Sequence, residues 1–359
     1  MRRISAKYAR PEMVLSRAVY DSRGNVLLDQ GTRLAESSIT TMSVYGVREI
    51  LVEDWRVEDV PVQPLIAPEI AAEATQALRQ LLTESQGSTA IDGALLEPVE
   101  QSVYSMTREL YPEVFGEVNV AGCSSPDELR YTRPVKIAEL SMLMGRRTGY
   151  RMTELASLGL AALLMDVGYI LLPRELADTP EPLSDGERLE MQKHPEYGAQ
   201  LMGQHRQLGP EVTEAILQHH ETWEGSGYPG GLKGRDICLS ARILRLADAY
   251  FELVSTGPHK RALMPHEAVE FVMAYSGDLF DPEMVQLFSR HVPLYPTGVT
   301  VKLNTGELCI VSDSKTGHIG RPVVRICYDS SLRPLERPYD IDLSEARYQN
   351  RLIVQVLDY

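Results

Sequence analysis

The sequence predicts a mainly α fold: a central bundle of amphipathic helices with a small α+β unit before it and a small β unit after it. Three observations predict this. Between residues 116 and 290, apolar positions recur at helical spacing, and prolines and glycines punctuate them. The first 60 residues alternate short strand-like runs with one helix-like run. After Pro293 the pattern turns to short β-like runs broken by turn residues.

Taken in order, "MVLSRAVYD" and "NVLLD" read as strands joined through "SRG" as a hairpin. "AESSITTMSVYG" reads as a helix with a glycine stop, and "VREILVED" as a returning strand. "VEDVPVQPLIAPE" carries three prolines and reads as a linker. A helical segment follows, clearest in "EIAAEATQALRQLL" and broken at "GSTAIDG". "LSDGERLEMQKH" opens with Ser184 and Glu187 at capping-box spacing. At the C-terminal end "GVTVKL", "ELCIVSD", "PVVRICYD" and "RLIVQVLDY" read as strands, the first two joined by the turn in "LNTGEL". The expected divisions are residues 1–60, 61–115, 116–290 and 291–359.

A chain of 359 residues has room for two or three domains. Its formal net charge of −14 argues against unspecific binding to nucleic acid or to an anionic membrane. The basic start "MRRISAKYARPEMVL" lacks the apolar stretch of a signal peptide. No uninterrupted apolar run reaches the roughly 20 residues of a spanning helix. Cys123, Cys238, Cys309 and Cys327 are scattered, with no C-x-x-C pair, which suits core thiols in a reducing compartment. A cytoplasmic location is expected.

Two carboxylates break this pattern. Leu155, Leu158, Ala162 and Met165 form an apolar stripe, and Asp166 falls on its continuation. Ala241, Leu244, Asp248 and Phe251 repeat the anomaly on a second helix. A carboxylate facing a core is costly unless a charge or hydrogen-bond donor meets it. His219 and His220 end the helical run "EVTEAILQHH", and His194 ends another at "QKH". Asp166, His194, His219, His220 and Asp248 offer carboxylate and imidazole ligands from several elements, a set that suits a transition metal activating water. Neighbouring helical histidines point about 100° apart, so the pair would serve different metals, or one metal and a substrate. Core packing, capping and buried ion pairs are the competing explanation for each residue taken alone.

These residues, in this order, resemble the HD-GYP family, a branch of the HD phosphohydrolases that hydrolyses cyclic di-GMP. The resemblance is strongest over "LQHHETWEGSGYPGGLKGRDICLSARILRLADAY" and extends to "DELRYTRPVKIAELSMLMGRRTGY", "AALLMDVGYILLP" and "KHPEYGAQLM". It implies an HD-type helical bundle. It also implies metal ligation by Asp166, His194, His219, His220 and Asp248, with Asp166 central to catalysis. A nucleotide-binding loop would be shaped by Gly227, Tyr228 and Pro229, with Lys260 as a basic contact. The divalent metal it implies is iron or manganese in preference to zinc, as one ion or none. Cyclic di-GMP is the implied ligand, and a diguanylate cyclase or another signalling protein, or a second copy, the implied partner.

The sequence departs from the family pattern at several positions. Met165 stands where the family has the histidine of its His-Asp pair, Arg133 where it has an earlier histidine, and Leu129 where some members have a glutamate. Tyr169 replaces a phosphate-contacting lysine, and Gly257 a phosphate-binding arginine. A thioether is a poor ligand for such metals, and a guanidinium cannot coordinate at all. Arg133 could instead place its charge beside Asp166. The expected function is cyclic di-GMP or partner binding with weak or no hydrolysis; an active metal-dependent phosphodiesterase is the alternative, and a purely structural module a third.

Overall fold

The computed structural model describes residues 1–21, 26–47, 49–60, 62, 64–111, 126–173, 176, 183–255, 262–315, 318 and 320–357, with backbone only at 126–128. They form two compact units: Met1–Pro64 with Ser289–Tyr359, and Leu65–Val118 with Glu128–Phe288. The fold is mainly α, an HD-type helical bundle with small strand units at both chain ends.

In the first unit β1 (Arg2–Ser5) pairs antiparallel with β4 (Glu49–Val52), and β2 (Val19–Tyr20) with β3 (Val26–Leu28). Helix α1 (Glu36–Val44) lies between β3 and β4 in the chain. The strand expected over "MVLSRAVYD" is two residues long, with isolated bridges from Val14 to Arg33 and from Leu15 to Val52. Strand β1 escaped sequence reasoning because its two arginines mask it and its buried residues, Arg3 and Ile4, are adjacent and do not alternate. Its Arg3 pairs with Glu49 at 2.6 Å, so a charged side chain is buried against its own partner strand.

The C-terminal strands form one antiparallel sheet in the order β8-β7-β6-β5-β9, with β5 Thr300–Leu303, β6 Leu308–Asp313, β7 Val323–Tyr328, β8 Pro334–Asp342 and β9 Ile353–Leu357. Four strands were expected. The fifth, β8, is an edge strand with mostly polar, exposed residues and two prolines, and edge positions are where a sheet tolerates proline. Arg3 N donates to Gly298 O at 3.0 Å, which ties the two chain ends into one unit.

The helical unit begins with α2 (Pro68–Glu84) against α3 (Gly93–Leu110). Helix α4 (Pro126–Arg147) follows, then α5 (Met152–Leu164), which packs on α3. Next come α6 (Asp185–Met191), α7 (His194–Met202) and α8 (Pro210–Gln218), with α7 and α5 both against α8. Helix α9 (Leu239–Val254) also packs on α8, ahead of α10 (Pro265–Ala274) and α11 (Pro282–His291). The capping box expected at Ser184 and Glu187 opens α6. The stretch Met152–Leu171 is apolar enough by length and composition to cross a membrane, with mean hydropathy 1.6. Most of it is buried inside the helical unit, as in a core helix.

The apolar stripe of α5 does not continue into Asp166. The helix stops at Leu164, Met165 is its C-terminal cap, and Asp166 opens a 3-10 turn over Val167–Leu171. That turn packs on α7. Gly168 makes the approach possible: a Cβ there would stand 2.0 Å from the His194 carbonyl oxygen and 2.6 Å from Gly198 N. Both obstacles are backbone, so neither can swing aside. Gly168→Ala should destabilise the protein by about 2 kcal/mol or more, as overpacking does. A denaturant melt of the variant against the parent checks this.

Glu139 of α4 is buried, and burial pushes its carboxyl up to about 7, with Lys136 opposing and Glu109 adding to the rise. An unfolded glutamate titrates near 4.5, so between that value and about 7 the folded chain holds a proton the unfolded chain has lost. Its contribution to stability is therefore full in acid and is lost as pH rises through the folded value. Thermal melts should show Glu139→Gln stabilising at pH 8, by roughly 1–3 kcal/mol, and little changed at pH 5.

A candidate metal centre between helix ends

Three chain breaks deliver the site. Asp166 leaves the end of α5, His194 is the first residue of α7, and His219 caps the end of α8 with His220 directly after it. The sequence suggested that His194 closes a helix; instead it opens one, with α6 having ended at Met191. The helix also ends before the histidine pair, so the helical angle expected between His219 and His220 does not apply. Both rings enter one cluster: a ligand atom from each of Asp166, His194, His219 and His220 lies within 4.8 Å of the others.

The two buried histidines are held by their backs. His194 Nδ1 meets the Met191 carbonyl at 2.8 Å, and His219 Nδ1 meets the Ile216 carbonyl at 2.6 Å. A carbonyl only accepts, so each Nδ1 carries the proton and each Nε2 keeps a lone pair. Those Nε2 atoms face each other at 3.2 Å, with Asp166 Oδ1 at 3.4 Å from His194 and 3.7 Å from His219. Lone pairs so placed repel unless a cation stands among them. Two ligands about 2.1 Å from one ion are themselves about 3.0–3.4 Å apart, so the histidine spacing fits a shared metal. The backbone contacts are the outer support that a metal-binding imidazole commonly has.

Electrostatics agree with this donor set. Burial pushes the His220 imidazole well below its usual range, helped by His219 and His194, so it stays neutral. Burial alone would raise Asp166, but the adjacent His194 and His219 rings and the charge of Arg133 hold its carboxyl well below the usual range. Asp248 on α9 goes the other way: burial raises it, and Arg133 offsets that only in part. Arg133 Nη2 lies 3.6 Å from Asp166 Oδ2 and 3.6 Å from Asp248 Oδ1. Asp166 thus turns one oxygen to the histidines and the other to a guanidinium. Asp248 does not join the four-donor cluster; its Oδ1 faces Arg133 and is buried without a hydrogen bond.

Aromatic rings wall the cluster. Tyr169 stacks on His194, centroids 4.2 Å apart and planes 12° from parallel. Tyr228 stacks on His220 at 4.7 Å. The loop bearing Tyr228 folds tightly over the histidine pair: Tyr228 N contacts His220 O, and a Cβ on Gly227 would stand 2.4 Å from that same oxygen. The Tyr228–Pro229 peptide is cis. Met165 is fully buried. Lys260 and Gly257 lie outside the described residues.

Glu221 escaped sequence reasoning although it directly follows the histidine pair. It is 2% exposed, and its carboxylate accepts from Gly230 N at 2.6 Å and Leu232 N at 2.9 Å, closing the loop. The available signal was the loop's glycines, whose bare amides call for an acceptor. Arg245 was also missed. It lies one turn before Asp248 on α9, and its charge bears on Asp248, His220 and Tyr228.

Residues 118–284 match the HD domain family model, and residues 300–359 match the KOW domain associated with HD domain. Over residues 118–284 the chain is thus similar to HD domains, in keeping with its helical fold and its histidine-aspartate cluster. Among curated proteins, the cyclic di-GMP phosphodiesterase PA4108 of Pseudomonas aeruginosa is 26% identical over 357 residues, covering 92% of this chain and 84% of that protein. The cyclic di-GMP phosphodiesterase response regulator RpfG of Xanthomonas campestris pv. campestris is 34% identical over 156 residues, 43% of this chain and 41% of that protein. Among solved structures, the HDG"Y"P protein Bd1817 of Bdellovibrio bacteriovorus shares the fold, with TM-score 0.51 and 16% identity over 80% of this chain and 97% of that one.

Replacing His219 and His220 together by alanine should abolish tight metal binding, because half the donors and both cluster atoms of the pair are lost. Elemental analysis of parent and variant, purified side by side, gives the answer. Undiminished metal in the variant rules out the cluster as the metal site.

Proposed function

We propose that this chain is an HD-GYP-type cyclic di-GMP module that holds one divalent metal ion and binds the dinucleotide with slow turnover or none. The observation that carries this reading is the asymmetry around Asp166. On one side stands a four-donor cluster with its histidine tautomers fixed by backbone carbonyls. On the other, Arg133 is set between Asp166 and Asp248. A second ion at that place would meet a fixed positive charge and only two carboxylates.

A divalent metal held by Asp166, His194, His219 and His220 would polarise a phosphate oxygen and acidify a bound water. Three imidazoles and one carboxylate favour iron or manganese over the magnesium and calcium that oxygen-only sites prefer. The protein's own part is positional. Tyr228 supplies a ring beside His220, and Glu221 holds its loop closed. Tyr169 offers a hydroxyl in place of an ammonium, and burial pushes that phenol well above its usual range, so it remains a neutral donor. The Pseudomonas relative, named a cyclic di-GMP phosphodiesterase and aligned over most of both chains, favours a second reading in which hydrolysis is retained.

Calorimetry on metal-loaded protein should give micromolar rather than nanomolar affinity for cyclic di-GMP, since each lost charged phosphate contact removes roughly 1.5–3 kcal/mol. Tyr228→Ala should weaken it further. Release of linear pGpG or GMP, followed by chromatography, should be slow. Brisk turnover by the parent chain would select the active phosphodiesterase instead, and absence of binding would reject both.

A further inference from the structure

Arg133 is an arginine with its donors unspent. Its side chain is 30% exposed, and it makes no hydrogen bond to any described residue. Its two acidic neighbours stand at 3.6 Å, beyond hydrogen-bond reach, and both face the same Nη2 atom. A guanidinium fixed only to satisfy Asp166 and Asp248 would close on them in the usual fork at about 2.8–2.9 Å. Here it is held by their charge without being consumed by it.

Its neighbours say what it can take. The carboxylate of Asp166 separates it from the four-donor cluster, so a cation among the histidines and the guanidinium flank the same group. With Asp166, Asp248 and Glu252 ionised beside Arg133 and Arg245 and no metal, the local charge is one negative, and an anion is repelled. A dication among the histidines turns it one positive, which one phosphodiester group neutralises. Planar, paired N–H donors match phosphate oxygens in a way a metal or an ammonium does not.

We propose that Arg133 is a phosphate-binding residue: its guanidinium holds the phosphodiester of the bound nucleotide from the side of Asp166 opposite the metal. It takes the place of a second ion as the electrophile at that position. The nucleotide rests on the reading above; the phosphate contact does not.

The test uses full-length chain loaded with manganese, with cyclic di-GMP and inorganic phosphate as separate probes in calorimetry, and metal content measured on every sample. Arg133→Gln should keep one metal equivalent and lose at least tenfold in affinity for both probes. Arg133→Lys, which preserves the charge and guards against a folding defect, should keep the metal and fall between Gln and the parent. Removing the metal with a chelator should abolish binding of either probe to the parent. Phosphate affinity unchanged in Arg133→Gln at unchanged metal content overturns the proposal. So does loss of the metal in both variants, which would make Arg133 a structural counter-charge. If phosphate binds and depends on Arg133 while cyclic di-GMP does not bind, the contact stands and the dinucleotide reading falls.

Discussion

The site depends on one close backbone contact. The 3-10 turn after Asp166 lies against the first turn of α7, at a separation that leaves no room for even a single Cβ on Gly168. Asp166 is two residues before that contact, and His194 contributes its carbonyl to it. Carboxylate and imidazole are therefore positioned by the same pair of backbone segments. Tyr169, the next residue after Gly168, lands on the face of His194 for the same reason. The bound on how far Asp166 and His194 can drift is set by main chain, which is stiffer than any side-chain packing.

A second layer of constraint is electrostatic. The two aspartates are pushed apart in acidity, Asp166 down and Asp248 up, although one guanidinium lies equally far from both. The difference comes from the histidines, which reach Asp166 but form no such pair with Asp248. Asp166 is thereby a permanent anion at the junction of two cationic positions. A neutral His220, kept so by burial, adds a donor without adding charge. If a metal occupies the cluster as proposed, the charge of the centre is set by that metal, and anion binding would be linked to metal loading.

Much of this was legible in the sequence, and for identifiable reasons. Polar residues at apolar helical positions flagged Asp166 and Asp248, and the histidines in their motif spacing led to the cluster. What the periodicity could not show was where the helices end. The α5 stripe ran through Asp166 on paper, but the chain leaves helical geometry at Met165. His194 was placed at a helix end of the wrong polarity because the break between α6 and α7 is only two residues long. Gly168 was invisible to pattern reading, since its reason lies on a segment distant in the chain, and Glu221 was signalled only by the glycine-rich loop whose amides it accepts from. Strand β8 was lost to its prolines and charges, which are features of an edge and not of a core.

Arg133 is the residue on which sequence and structure bear differently. As a substitution it reads as a loss, because a guanidinium cannot bind a metal. In place, it is a charge set at fixed distance from two carboxylates, with its planar donors uncommitted. A metal at the same position would exchange with solvent and depend on supply, whereas the guanidinium is part of the chain and always charged. It also supplies less field than a dication and cannot acidify water. On the function proposed above, a centre built from one exchangeable ion and one built-in cation would retain the means to hold a phosphodiester while surrendering part of the means to cleave it. Recognition and turnover, coupled when two ions do both, would then be separated by one side chain.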